Sequence, residues 1–211
     1  MIELPTDAQL VDAAAATYTA TLPWLQFAED RLFRSQLPSG VMVFSFEGTY
    51  NAPGWVGDFL ALGVRDHETT NHPTLGFVHL DFYQSALQFI APLAAAAKEG
   101  PIALGGHSRG AILALMAAGL LIDGGAPVIK IGAFAPPRGG GPTFIKIVTS
   151  ISFCAYKFGD DPVPEVPFTL MPAFPYEQVP LSKIGEPLTN ALDCHHIANY
   201  VSGVHAMEAV A

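Results

Sequence analysis

The sequence predicts an α/β protein with a mostly parallel central sheet flanked by helices, and three observations predict it. Short apolar runs rich in β-formers, each bounded by glycine or proline, alternate with longer segments of helical spacing. A serine set between glycines stands at the seam of one such run and a small-residue helix. With 211 residues, half of them apolar, the chain can bury roughly 70% of its unfolded surface as a single domain.

The elements follow in order. Residues 1–40 read as an N-terminal helical segment, begun by a capping box in which Thr6 and Gln9 satisfy each other's backbone N–H. The run "VMVFSF", 41–46, is a buried strand that opens the α/β core, 41–200, and breaks into the turn-rich "EGTYNAPGW". "DFYQSALQFIAPLAAAAKEG" carries Phe82, Ala86, Ile90 and Ala94 four apart and stops at Gly100, which makes it a helix with a bend expected at Pro92. "PIALGG" and "PVIKIGAF" are further strands, as is "ISFCAYKF", 151–158, which leads into "GDDPVPEVP". Gly110, Ala114 and Ala118 give the helix after the serine one face of small side chains, suited to close packing on a sheet. In such a fold ligands bind beyond the carboxyl ends of the strands, where the serine sits.

Composition narrows the function. Nineteen acidic against ten basic residues give a net charge of -9, which disfavours nucleic acid as a partner and gives no attraction to anionic bilayers. No apolar run reaches the ~20 residues that span a bilayer, so stable membrane insertion is not expected. Glu3, Asp7 and Asp12 stand where a signal peptide needs positive charge, which suggests an intracellular, cytoplasmic setting, although a processed secreted chain or a virus-encoded one would read the same. Cys154 and Cys194 share no metal spacing and read as two buried thiols. His67 and His72, with Asp66 and Glu68, lack the fixed spacing of a metal site, and neither a metal nor an organic cofactor is expected.

Gly106, His107, Ser108, Arg109 and Gly110 spell GxSxG, the elbow that lifts a nucleophilic serine to the top of a sheet. Side chains two before and two after the serine would collide in that turn, which is why glycine occupies both places. A serine hydroxyl needs a base to take its proton and an acid to orient the base. Ser108 is followed by Asp160 and Asp161 in the loop after a strand and then by His195 and His196, the order such hydrolases use. The oxyanion that forms on the substrate needs two backbone N–H groups. Arg109, at the start of a helix, supplies one, and Thr49, turned inward by Gly48, the other.

These motifs together resemble the class 3 lipases, the fungal-type family of the α/β-hydrolase superfamily, over about 41–200. "VFSFEGTYNAPGWVGDF" looks like the family's strand, oxyanion turn and Trp-x-x-Asp segment, here Trp55 and Asp58. "FVHLDFYQSA" resembles its Val-His-x-Gly-Phe helix entry, "GGHSRGA" its elbow, and "GAFAPPRGGGPTF" its Phe-Gly-x-Pro-Arg-Val-Gly-Asn segment. "GDDPVPEVP" matches its Asp-Pro-Val-Pro signature, which assigns the triad acid to Asp161. Members with a similar ending place Tyr five residues after the catalytic histidine, which selects His195 through Tyr200; members with a closer aromatic would select His196.

The resemblance implies an α/β-hydrolase fold with a short lid region and a serine-dependent carboxylic ester hydrolase, a lipase or esterase. Ser108, Asp161 and His195 would form its triad, Thr49 and Arg109 its oxyanion hole, and a small-molecule or lipid ester its substrate. A phospholipase or acyltransferase would carry the same triad, and a non-catalytic binding module would have lost one of the three. Glu47 stands where the family has arginine, which leaves a supporting ion pair missing or reversed. Asp81, Arg109 and Ala111 replace glycine, leucine and glycine. The lid region, 61–76, is short and polar, which suits soluble short-chain esters. His79 and His107 are expected to be structural, and His67, His72 and His205 solvated. Oligomeric state is open.

Overall fold

The protein was analysed as a computed structural model that describes residues 3–49, 69–166 and 176–210. Trp55, Asp58, Asp66, His67, Glu68 and the first half of the lid region, 61–68, lie outside the described residues.

In chain order the elements are α1 (Asp7–Ala16), β1 (Leu25–Phe27), β2 (Asp30–Gln36), β3 (Met42–Phe46), β4 (Thr69–His72), β5 (Gly76–His79) and α2 (Leu80–Ala97). There follow β6 (Ile102–His107), α3 (Arg109–Asp123), β7 (Val128–Phe134), α4 (Pro142–Val148), β8 (Ser152–Phe158), β9 (Ser182–Ile184) and α5 (Ile197–Glu208). The main sheet has the order β1-β2-β3-β6-β7-β8-β9. From β3 to β9 every pairing is parallel, and only β1 and β2 add antiparallel at one edge. β4 and β5 pair with each other as a separate hairpin.

Strand alternation builds the two layers. Phe44, Leu104 and Ile131 point to one face, where α2, α3 and α4 add Phe89, Leu113 and Phe144. Val43, Ala103 and Tyr156 point to the other, where α1 and α5 add Leu10, Val11, Tyr200 and Val204. Both faces are covered, which is why the parallel strands read as continuous apolar runs. The capping box at Thr6 forms as expected, and α2 continues through Pro92.

The expectation that residues 1–40 are helical holds only for α1 and is corrected beyond it, where β1 and β2 form. These strands exist through pairing: Leu32 stands opposite Phe46 and Arg34 opposite Phe44, and isolated sequence periodicity does not reveal that partner. β9 is a three-residue case of the same kind, defined by Tyr156 to Phe158 of β8. Cys154 and Cys194 are free and buried.

Candidate active site

Parallel neighbours end together, so the loops after them converge. Phe46 pairs with Gly106, His107 with Phe134, and Phe134 with Tyr156, which brings Glu47 to Thr49, Ser108 and the 159–161 turn to the same edge of the sheet. At Ser108 the backbone has φ 58 and ψ -128, a conformation that side chains other than glycine rarely adopt. The surroundings over-determine it. Ser108 N–H donates to the Phe134 carbonyl at 2.8 Å. A Cβ on Gly106 would lie 2.4 Å from the Gly110 carbonyl, and one on Gly110 2.3 Å from the Phe46 carbonyl oxygen, so both positions accept only glycine. Ser108 itself is buried.

Asp161 follows β8 and is fully buried, whereas Asp160 is exposed. Its carboxylate accepts three hydrogen bonds: Val163 N–H at 2.9 Å, the Tyr200 hydroxyl at 2.5 Å and His195 Nδ1 at 2.7 Å. A carboxylate can only accept, so Nδ1 carries the ring proton and Nε2, itself buried, is the basic nitrogen. His195 closes a short 3-10 turn, Asp193–His195, in which its N–H donates to the Leu192 carbonyl at 3.1 Å. Within that turn Cys194 Sγ accepts from Leu188 N–H, which gives the buried thiol a place in holding the loop. His196 points away, 73% exposed, with Asp193 as its nearest charge at 4.0 Å.

His107 packs its ring 4.7 Å from that of His195. Burial pushes its pKa well below the ordinary value, with repulsion from a charged His195 acting in the same direction and the nearby His195 backbone opposing only in part. His107 therefore stays neutral beside the other imidazole. Tyr200 contributes a hydroxyl that burial and the Asp161 charge keep protonated, and that hydroxyl also accepts Phe158 N–H at 3.1 Å.

The departures from the family pattern find partners. Glu47 is paired with Arg31, whose Nη1 donates to both carboxylate oxygens at 2.9 and 3.1 Å, so the ion pair at the oxyanion turn is reversed in polarity. Burial pushes the Glu47 carboxyl up, and Arg31 opposes this. Asp81 and Arg109 meet each other at 2.8 Å. The Arg109 guanidinium also forks onto Asp30 at 3.0 and 3.2 Å and donates to Ser85 Oγ at 3.0 Å. Burial disfavours this cation, but Asp30 and Asp81 outweigh the effect and hold its pKa above the usual value. One side chain thereby ties β2 and α2 to the first residue of α3.

Thr49 is exposed just beyond β3, and Arg109 begins α3, where its N–H has no intrahelical acceptor. His79 packs on Phe82 and Tyr176. His72 accepts from Thr74 and Leu75 N–H, and His205 lies exposed beside Asp12. Among the described residues no group of His, Cys, Asp and Glu could hold a metal ion, and no helix is long and apolar enough to cross a membrane.

Sequence reasoning did not find Tyr18, Asp30 or Arg31, and used Tyr200 only as a ruler for the histidine. The signal for two of them was present. Glu47 in place of a cation and Arg109 in place of an apolar residue each demanded an opposite charge, and "EDRLF" holds both signs next to each other.

An elbow serine and an Asp-His pair, whose histidine packs on the residue before that serine, thus share one edge of the sheet. A sequence model of the class 3 lipases matches residues 43–171. Among curated proteins no sequence match was found. Solved structures do match: a mutant of MDLA from Penicillium cyclopium is 20% identical with a TM-score of 0.69, covering 93% of this chain and 94% of its own. The mono- and diacylglycerol lipase of Aspergillus oryzae is 20% identical with a TM-score of 0.62, over 89% of this chain and 83% of its own. A triacylglycerol lipase described as having a serine protease triad at its catalytic centre is 20% identical with a TM-score of 0.61, over 80% and 66%. The chain belongs to the class 3 lipase family. It is a serine-dependent carboxylic ester hydrolase on the α/β-hydrolase fold.

Proposed function

We propose that Ser108 is the nucleophile, His195 the general base and Asp161 the group that orients it, with the Thr49 and Arg109 N–H groups as the oxyanion hole, in a single catalytic domain. The observation that carries this reading is the 2.7 Å bond from His195 Nδ1 to a buried Asp161, with the His195 ring packed 4.7 Å from that of His107, the residue before the elbow serine. His195 Nε2 takes the Ser108 proton as Oγ attacks the ester carbonyl. The tetrahedral oxyanion accepts from the two N–H groups, and the protonated ring then gives its proton to the leaving alcohol. Water enters, loses a proton to the same nitrogen and releases the acid from the acyl-enzyme.

Soluble short-chain esters are the proposed substrates, within the lipase and esterase range. A lid that opens on oil needs a continuous apolar face. The described part of the lid region offers "TTNH" as β4, with Thr69 and Asn71 exposed.

The test is turnover of a nitrophenyl butyrate by pure protein, together with labelling by a fluorophosphonate. Wild type should do both, and Ser108→Ala should lose both, with turnover down by roughly 10⁴ to 10⁶. Substantial activity in the variant would refute the assignment. A preference for emulsified long-chain triglyceride would refute the substrate class alone.

A further inference from the structure

Besides Asp30 and Arg31, the segment before the family match sends a third side chain to the turn around Ser108. Tyr18 lies just past α1, well outside residues 43–171. Its hydroxyl stands 2.7 Å from His107 Nδ1 and lies against Gly48. The approach at Gly48 is close: a Cβ there would fall 2.1 Å from the Tyr18 oxygen and 2.8 Å from the His107 carbonyl oxygen, which no side chain could accommodate without displacing the turn. The phenol thus joins the residue before Thr49 to the residue before Ser108. On its far side the His107 ring packs 4.7 Å from the ring of His195.

Burial leaves His107 neutral, so one of its ring nitrogens is an acceptor. Burial, with the Glu47 charge close by, pushes the Tyr18 phenol up, so it keeps its proton. The Tyr18–His107 pair sits in the place where the oxyanion strand passes the elbow.

We propose that Tyr18 is a positioning residue of the active site: its hydroxyl, wedged against Gly48 and bonded to His107 Nδ1, sets where the Thr49 N–H stands relative to Ser108. The proposal rests on the oxyanion role assigned to Thr49 and Arg109 above. It makes the N-terminal segment part of the catalytic apparatus. Removing the hydroxyl leaves the ground-state complex intact but lets the oxyanion turn drift, and displacing such a donor costs roughly 10- to 100-fold in turnover.

Tyr18→Phe keeps the ring and removes only the oxygen. Its kcat on a soluble nitrophenyl ester should fall by that factor with KM unchanged. The affinity for a trifluoromethyl ketone, whose adduct with serine carries the oxyanion, should fall in parallel. A structural role alone would not weaken the ketone and spare KM. His107→Gln alters the other end of the strut, so the double variant should be little worse than the poorer single one. Multiplying losses, or an active wild type matched by Tyr18→Phe, would overturn the proposal; an inactive wild type would instead refute the hydrolase assignment. Amide exchange at Gly48 reads the strut without any turnover: loss of the hydroxyl packed against it should speed it roughly tenfold. Unchanged exchange would also overturn the proposal.

Discussion

Replacing Tyr200 by phenylalanine removes a single oxygen at a site with no access to water. That oxygen donates to Asp161 Oδ2 at 2.5 Å and accepts Phe158 N–H at 3.1 Å, and the side chain is fully buried. A hydrogen bond to a charged group contributes about 1.5 to 3 kcal/mol, and a buried N–H left without an acceptor costs about 1 to 3 kcal/mol. Because both act through one atom they do not simply add, and a total of about 2 to 5 kcal/mol is expected. For a chain of this length that lowers the melting midpoint by roughly 5 to 15 °C. Urea unfolding followed by tryptophan fluorescence measures it, with the midpoint shifted and the slope unchanged. The variant should still turn over ester, since Asp161 keeps Val163 N–H and His195, whereas Asp161→Asn should lose roughly 10⁴ in kcat. A stability change below about 0.5 kcal/mol, the range of ordinary surface substitutions, would refute the reasoning.

Three further outcomes follow from the same geometry. His195→Ala should lose nearly all ester turnover and His196→Ala keep most of it, because only His195 touches Asp161; the reverse pattern in a nitrophenyl ester assay would show the pairing to be wrong. Arg109→Leu should cost about 3 kcal/mol in urea unfolding by stranding Asp30, and adding Asp30→Leu should recover more than half; equal losses in single and double variants would exclude the buried pair as the cause. Burial raises the Asp7 carboxyl, but the bonds from Lys130 and Tyr156 outweigh it and lower its pKa. Its contribution to stability is then complete above the ordinary aspartate value of 3.8 and is lost as pH falls through the lowered folded value. Asp7→Asn should therefore destabilise the protein at pH 7 and differ less from wild type near pH 3, and a gap that stays constant would contradict the linkage.

The amino-acid sequence by itself determined the parallel half of the sheet, because strands buried on both faces leave continuous apolar runs that glycine and proline delimit. It also determined the elbow at Gly106, where a Cβ would strike the Gly110 backbone within the same turn, whereas the glycine at 110 answers to the Phe46 carbonyl of β3 and so to the fold. Asp161 and His195 were legible as candidates from motif order. Their meeting was not: it depends on α5 packing over β8, so that Tyr200 reaches back to the 158–161 turn. β1, β2 and β9 were decided by pairing with neighbours distant in sequence, so no local period announced them. The charge partners of Glu47 and Arg109 and the Tyr18 strut follow the same rule. A charge in a departing motif says that a counter-charge must exist, but which of many residues supplies it is a question of distance in space, and only the folded chain answers it.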